Sequence, residues 1–258
     1  MQGIDVRLSL YEDGQAVTRD CAEDPLDRWG LHASHQVDVT MGGKTVSIHQ
    51  APQSLTPSAI GVGAVVWEGE LLMGQYLCSV PRHRFLGCRV VELGAGPGLL
   101  GLLLAKWGAR QVVITDKGSV LPLIRKNVEL NGLGDKGQLR GQVEVAELEW
   151  GKQGYETALG SIAQDPVDWV LAADCLYIDN EGQSPSIPHF VKACSILCGS
   201  NARETKCLVS FELRSEEVKH QFLQAVAENK MKAKLIPRSS LPRGCQIDYI
   251  ELYELTKG

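Results

Sequence analysis

The sequence predicts an α/β fold: a seven-stranded, mostly parallel sheet whose last strand runs antiparallel, preceded by a small N-terminal β extension. Three observations predict it. From about residue 89 onward, short apolar runs alternate with segments of helical periodicity, the pattern of a parallel sheet with crossover helices. A glycine-rich junction, VVELGAGPGLLG at 90–101, joins the first of those runs to the first of those helices. Before residue 50 the pattern changes to alternating apolar and polar side chains, as half-exposed antiparallel strands require.

In the N-terminal part, DVRLSLY (5–11), QVDVT (36–40) and KTVSIHQ (44–50) read as strands, with a polar excursion from Asp20 to Trp29 between the first two. A loop rich in Pro, Ser and Gly (52–63) leads to AVVWEGELLMGQYLCS (64–79), whose apolar positions fall at helical spacing. CRVVEL (88–93) is a strand, and GLLGLLLAKWG (98–108) a helix closed by Gly108. QVVIT (111–115) is the second strand of the sheet, followed by a helix over SVLPLIRKNVELNGL (119–133) that ends at Asn131-Gly132. VEVAEL (143–148) and DWVLAAD (168–174) are the third and fourth strands. SIPHFVKACSILCG (186–199) is a helix, CLVSFEL (207–213) the fifth strand, and SEEVKHQFLQAVAENK (215–230) a helix with Ser215 at its N-cap. KAKLIP (232–237) and CQIDYIELYEL (245–255), joined by the turn SSLPRG, form a closing antiparallel hairpin.

Composition narrows the classes of function. At 258 residues, 44% hydrophobic and 22% charged, the chain can bury a full core and reads as a soluble globular protein. A net charge of −5 without a Lys/Arg cluster argues against a sequence-independent nucleic-acid binder. The N-terminus lacks the pattern of a secretory signal, and LLGLLLA is too short to span a bilayer. The eight cysteines show no CxxC pair, and Cys194 and Cys198 have no second pair to complete a metal site; no metal is expected. Scattered cysteines suit reduced thiols in the cytoplasm or the nucleus.

The glycine-rich junction carries the first chemical signal. Gly94, Gly96 and Gly98 at the mouth of a helix allow a tight turn and the close approach of a ligand. Dinucleotide sites use the same device, and Gly96, Gly98 and Gly101 also fit GxGxxG. Glu92, two residues before Gly94, separates the readings. A carboxylate there would repel a pyrophosphate but suits a cofactor with a cationic amino-acid end, such as S-adenosylmethionine. Asp116 closes the second strand, where an acid can accept hydrogen bonds from ribose hydroxyls. Trp150, in LEWG after the third strand, can lie over an adenine ring, although packing is the commoner role of a lone Trp. At the tip of the fourth strand, DWVLAADCLYID (168–179) runs from an apolar strand into Asp174 and Tyr177.

Taken together, VVELGAGPGLLG, VVITD, ELEWG, LAADCLY and FELR resemble the class I, seven-β-strand methyltransferases with a Rossmann-like sheet. The upstream GVGAVVWEGELLMGQYL is similar to the methyltransferase-like family 16 of protein-lysine N-methyltransferases, whose relatives modify an AAA ATPase, Hsp70 chaperones and elongation factor 1A. The likeness covers about residues 60–215 well and the first 50 weakly. It implies an N-terminal extension at 1–58 and an S-adenosylmethionine-dependent methyltransferase domain at 59–258. It further implies that Trp67 contacts the cofactor at the pocket mouth. Gly94, Ala95 and Gly96 would pass beneath the methionine moiety, with Ala173 close to its end. Asp116 would hold the ribose and Trp150 would flank the adenine. Asp174 and Tyr177 match a DxxY signature facing the acceptor amine, and Glu212-x-Arg214 matches an ExR pair that shapes the rim or forms a structural ion pair. Pro97 departs from the Thr of many relatives, and the loop GQSPSIP (182–188) is longer. The expected acceptor is a lysine of a protein such as a chaperone, an AAA ATPase or an elongation factor, and the expected state is a monomer. A histidine, a protein N-terminus or a small amine as acceptor, or an inactive scaffold, are the alternatives.

Overall fold

A computed structural model describes residues 6–12, 15–20, 28–56, 59–134, 143–176, 178, 184–199, 204–241 and 247–258. Its centre is a seven-stranded sheet made of β5 (Arg89–Glu92), β6 (Gln111–Asp116), β7 (Val143–Glu147), β8 (Trp169–Ala173), β9 (Lys206–Glu212), β10 (Met231–Leu235) and β11 (Ile250–Lys257). The order across the sheet is β10-β11-β9-β8-β5-β6-β7. The β7-β6-β5-β8-β9 pairings are parallel, and β11 is antiparallel to both β9 and β10. Strands β5 and β8 are buried along their whole length, and β8 accordingly reads as an unbroken apolar run. The chain leaves β5 for β6 on one side and comes back to β8 on the other. The crevice between β5 and β8 is therefore the switch point, where open α/β sheets place ligands.

The crossover helices are α3 (Leu99–Lys106), α4 (Leu121–Leu130), α5 (Tyr155–Ile162), α6 (Ile187–Cys198) and α7 (Glu216–Glu228), with α2 (Glu68–Ser79) preceding β5. Upstream, β1 (Val6–Glu12), β2 (Gln15–Asp20), β3 (Gln36–Met41) and β4 (Lys44–His49) form an antiparallel sheet ordered β2-β1-β3-β4, with α1 (Arg28–Ala33) between β2 and β3. The two sheets share one core. Leu8, Leu10, Val37, Val39, Met41, Val46 and Ile48 pack in the same buried cluster as Leu72, Leu100, Leu103 and Ile114. Removing that apolar surface from water, at about 25 cal/mol per Å2, is what holds the extension down. Two asparagines one helical turn apart on α4 cover the free edge of β4. Asn127 bonds the N–H and C=O of His49 at 2.8 and 3.0 Å, and Asn131 those of Ser47 at 3.0 and 2.6 Å.

The structure differs from the sequence expectation in five places. β2, α1 and α5 were not foreseen. Gln15–Asp20 lacks an apolar face, its backbone pairing being supplied by β1, and α1 is only six residues long. The final antiparallel pair exists, but β11 starts at Ile250 rather than Cys245, so the SSLPRG turn is part of a longer connection. Prolines cannot donate to a ladder, and Pro237 ends β10. Ser215 is the N-cap of α7 as expected, but its side chain makes no capping bond.

Candidate active site

The glycine loop leaves β5 in left-handed backbone at Gly94 (φ 59°), Gly96 (φ 52°) and Gly98 (φ 91°), which side chains rarely adopt. A Cβ on Gly94 would also lie 2.8 Å from the Cys175 Sγ and 2.9 Å from the Trp150 ring, so the loop, the β8 tip and Trp150 close on one another here. Gly98 opens α3, and Ala95 is tied back to β6 by its N–H to the Thr115 carbonyl at 3.0 Å. Asn127 donates to the Pro97 carbonyl at 3.0 Å, so the helix that covers β4 also holds this loop.

Two acids organise the loop through backbone. Asp116 accepts the Gly96 N–H at 2.8 Å and the Lys117 N–H at 2.7 Å, one on each carboxylate oxygen. Each oxygen keeps a lone pair for a further donor. Burial pushes this carboxyl up to about 6. Glu92 is fully buried, and its Oε2 accepts the Gly101 N–H at 2.8 Å. The carboxylate expected from sequence to face a cationic ligand is thus turned onto the first turn of α3. That helix end leaves N–H donors without partners, and an acid relieves them. Burial pushes Glu92 up to about 8.

Trp67 precedes α2, with its indole N–H on the Val62 carbonyl at 2.8 Å. Its ring lies between the His32 ring, 4.5 Å away edge-on, and the Arg214 guanidinium, 5.5 Å from its centre. Trp150 rests on Phe190 at 5.1 Å, and its buried indole N–H has no hydrogen-bond partner among the described residues. Ala173 ends β8 opposite Ser210. Tyr177 lies outside the described residues, as does the Gly182-Gln183 start of the longer loop.

Asp174 follows Ala173 in left-handed backbone (φ 52°), a conformation that Asp tolerates better than most residues and that turns its side chain off the strand. Gly69 makes room for this turn: a Cβ there would sit 3.3 Å from the Asp174 Cβ. The Asp174 carboxylate is held in the bidentate fork of Arg214, at 2.8 and 2.7 Å, with the Glu212 N–H at 3.2 Å. Arg214 also reaches Glu212 Oε2 at 3.0 Å. The ExR pair is thus an ion pair that grips Asp174. Arg28 of α1 completes the network, bonding Glu68 and, at 3.0 Å, the same Glu212 oxygen.

Glu70, absent from the sequence expectation, belongs to the site. Its Oε1 accepts the Trp67 N–H at 3.1 Å, while its buried Oε2 has no hydrogen-bond partner among the described residues. Burial raises its carboxyl well above the ordinary value, and neighbouring Glu92, Asp174 and Asp116 add to the rise. The signal in sequence was the acid three residues after a helix-start residue, which reaches back to the N-cap N–H. Arg28 left no local signal, because its partners lie 40 and 184 residues away.

Four acids therefore meet at the switch point, with Arg214 on one of them and a buried carboxylate oxygen that finds no donor among the described residues. A ligand carrying positive charge fits that arrangement, and the glycine cradle fits one that lies against backbone. S-adenosylmethionine, with a sulfonium and an ammonium, satisfies both conditions.

Comparison with known proteins agrees. The family model described as lysine methyltransferase matches residues 53–229. Protein N-lysine methyltransferase METTL21A of Mus musculus is 33% identical over 195 residues, 76% of each chain. EEF1A lysine methyltransferase 3 of Xenopus tropicalis is 28% identical over 198 residues, 77% of this chain and 76% of that one. Among solved structures, the T. Thermophilus 16S rRNA N2 G1207 methyltransferase (RsmC), in complex with AdoMet and guanosine, has a TM-score of 0.54 at 14% identity. That match covers 84% of this chain and 48% of the other, and it is a likeness of fold.

Proposed function

The chain belongs to the lysine methyltransferase family, and from that premise we propose that Asp174 is the acceptor-side residue of an S-adenosylmethionine-dependent protein-lysine N-methyltransferase. The cofactor supplies an electrophilic methyl group on a sulfonium, which becomes a neutral thioether when the amine nitrogen bonds the carbon. Gly94, Ala95 and Gly96 would carry the cofactor's amino-acid part, Asp116 its ribose, Trp150 its adenine and Trp67 the pocket mouth. Glu92 and Asp116 act by holding the backbone of that cradle, and Glu70 supplies the free carboxylate oxygen nearest in kind to what a cation needs.

The chain's contribution to transfer is positioning. A lysine ammonium, with an ordinary pKa of about 10.4, must shed a proton before its lone pair can attack. Asp174, doubly bonded to Arg214, is a fixed anchor: Oδ1 takes both the Arg214 Nη1 and the Glu212 N–H, while Oδ2, which takes the Arg214 Nη2, retains a lone pair for an N–H of the amine. The proton leaves to water at the rim. The observation that carries this reading is Asp174 itself, a strand-end acid in left-handed backbone whose carboxylate is held by a guanidinium beside the glycine loop.

The relatives' names support a protein acceptor, and an elongation factor is the substrate we infer first, with a chaperone or an AAA ATPase as the other outcomes of the test. Six cysteines among the described residues are free thiols, which supports a cytoplasmic or nuclear setting. We also infer a monomer. Incubation with radiolabelled S-adenosylmethionine and cell lysate, followed by mass spectrometry of the labelled bands, tests the acceptor directly. Label on lysine of one protein is the expected result; label on histidine, an N-terminus or a small amine would replace the acceptor.

A further inference from the structure

We propose that Arg28, from the N-terminal extension, is a positioning residue for methyl transfer, acting through Glu212 and Arg214 on Asp174. The proposal rests on the reading of Asp174 as the acceptor anchor. Arg28 lies outside the residues matched by the family model, which begin at 53. It nevertheless reaches the end of β9: its Nη2 donates to Glu212 Oε2 at 3.0 Å and its Nε to Glu68. The same Glu212 oxygen takes the Arg214 Nη2 at 3.0 Å. One carboxylate oxygen is thus shared by two guanidiniums, and the second of them holds Asp174.

The consequence is a balance of charges. Three carboxylates (Glu68, Glu212, Asp174) and two guanidiniums (Arg28, Arg214) alternate along one partly buried chain, with Glu68 1% and Asp174 5% exposed. With Arg28 in place, Glu212 is partly satisfied and Arg214 stays forked on Asp174. Without it, Glu212 has Arg214 to itself and draws the fork off Asp174. The carboxylate then loses its fixed plane, and a misplacement near 1 Å can cost up to about a hundredfold in rate. The single unmatched negative charge of the five-member chain is what an acceptor ammonium would meet.

α1 is built to carry this contact. The buried Gln50 amide donates to the carbonyls of Leu31 and Ser34 at 2.8 and 2.7 Å, and its oxygen accepts the Val66 N–H at 2.6 Å. That one side chain locks α1 to the residue before Trp67. The Arg28 guanidinium also lies 5.3 Å from the centre of the Tyr249 ring, and the Tyr249 carbonyl accepts the Leu213 N–H at 2.7 Å. The backbone between Glu212 and Arg214 is therefore hydrogen-bonded to the residue whose ring Arg28 faces.

The test uses Arg28→Gln, Arg28→Lys and the double variant Arg28→Gln/Glu68→Gln in the full chain. Arg28→Gln alone strands the buried Glu68 charge and can destabilise the fold. The double variant removes that charge and still leaves Glu212 without Arg28. The probes are S-adenosylhomocysteine by calorimetry, initial rates of label transfer at varied lysate concentration, and the side-chain NMR signal of Arg214, assigned by its loss in Arg214→Lys. We expect the double variant to bind S-adenosylhomocysteine at full stoichiometry and within about twofold of the native affinity. Its maximal rate falls about tenfold or more, its half-saturating lysate moves less than about threefold, and the Arg214 signal shifts. Arg28→Lys recovers most of the rate. A double variant with the native rate and an unshifted Arg214 signal overturns the proposal. If the native protein labels nothing, the lysine-transfer reading fails, and the Arg214 signal alone still decides whether Arg28 sets its position.

Discussion

On β5 and β6 the acids of the site are held by backbone, whereas on β8 and β9 they are held by arginines. Glu92 and Asp116 take the N–H groups of Gly101, Gly96 and Lys117, all within 20 residues of them. Asp174 and Glu212 take Arg214 and Arg28, the latter 184 residues away in the chain. Backbone donors survive every substitution but proline and carry no full charge. They build a rigid cradle whose acids stay protonated up to unusually high pH. Guanidiniums neutralise their acids and can exchange them for another cation. One half is thus suited to holding a cofactor of constant structure, and the other to admitting and orienting an ammonium.

The largest expected effect breaks the arginine-held half alone. Asp174→Ala should abolish methyl transfer, by about a hundredfold or more, while calorimetry shows S-adenosylmethionine affinity within a few fold of native. Asp174→Asn, which tolerates the same left-handed backbone but turns an amide N–H2 onto one arm of the Arg214 fork, should show the same split with a lowered melting temperature. Loss of cofactor binding in both variants would move Asp174 into the cofactor half.

Asp116→Asn attacks the backbone-held half. The side chain would present an amide N–H2 where one of two backbone donors now finds an oxygen, leaving a buried donor unmet at a cost of about 1–3 kcal/mol. Cofactor affinity should drop roughly tenfold to a hundredfold, and saturating cofactor should restore most of the maximal rate. A variant whose rate stays low at saturation would show that Asp116 also serves the acceptor.

A pH series sharpens the contrast. Glu92 sits near 8 folded against an ordinary 4.5, so the folded state holds the extra proton between those values. The stability contributed is full below pH 4.5 and is lost as the pH rises through about 8; Glu70 is displaced in the same direction. Cofactor-free protein should melt roughly 5–10 °C lower at pH 8 than at pH 5, as a few kcal/mol would produce in a chain of this size. Glu92→Gln should flatten much of that slope. A flat native profile would mean that the cradle accommodates ionised Glu92 at no cost.

The smallest effect is a control on the surface. Lys152 pairs with Glu147 and Glu149, but all three are close to half exposed, so Lys152→Ala should leave stability almost unchanged and transfer unaltered. A larger change in chemical denaturation would show that exposed pairs matter here as the enclosed ones do.

Legibility followed the same division. VVELGAGPGLLG and the acid ending VVITD could be placed because strand, glycine turn and helix mouth are contiguous, and their hydrogen bonds close over short stretches. The direction of Glu92 was not legible: a carboxylate at a strand end can face a ligand or a helix, and only the packing of α3 against β5 chooses. Glu212 and Arg214 stood out as a pattern without a role. β2 and α1 went unseen because neither has an apolar period of its own; β1 supplies the pairing of the one and Gln50 the anchorage of the other.

By itself, then, the sequence determined the alternation that builds the parallel sheet, the glycine cradle at its switch point and the acids at the strand ends. These rest on local sterics and on a periodicity that any stretch of chain carries within it. Which acid meets backbone, which meets a guanidinium, and that an N-terminal arginine stands behind Asp174 were decided only by the tertiary structure. A salt bridge has no sequence spacing of its own: it is set by which surfaces the shared core brings within hydrogen-bonding distance.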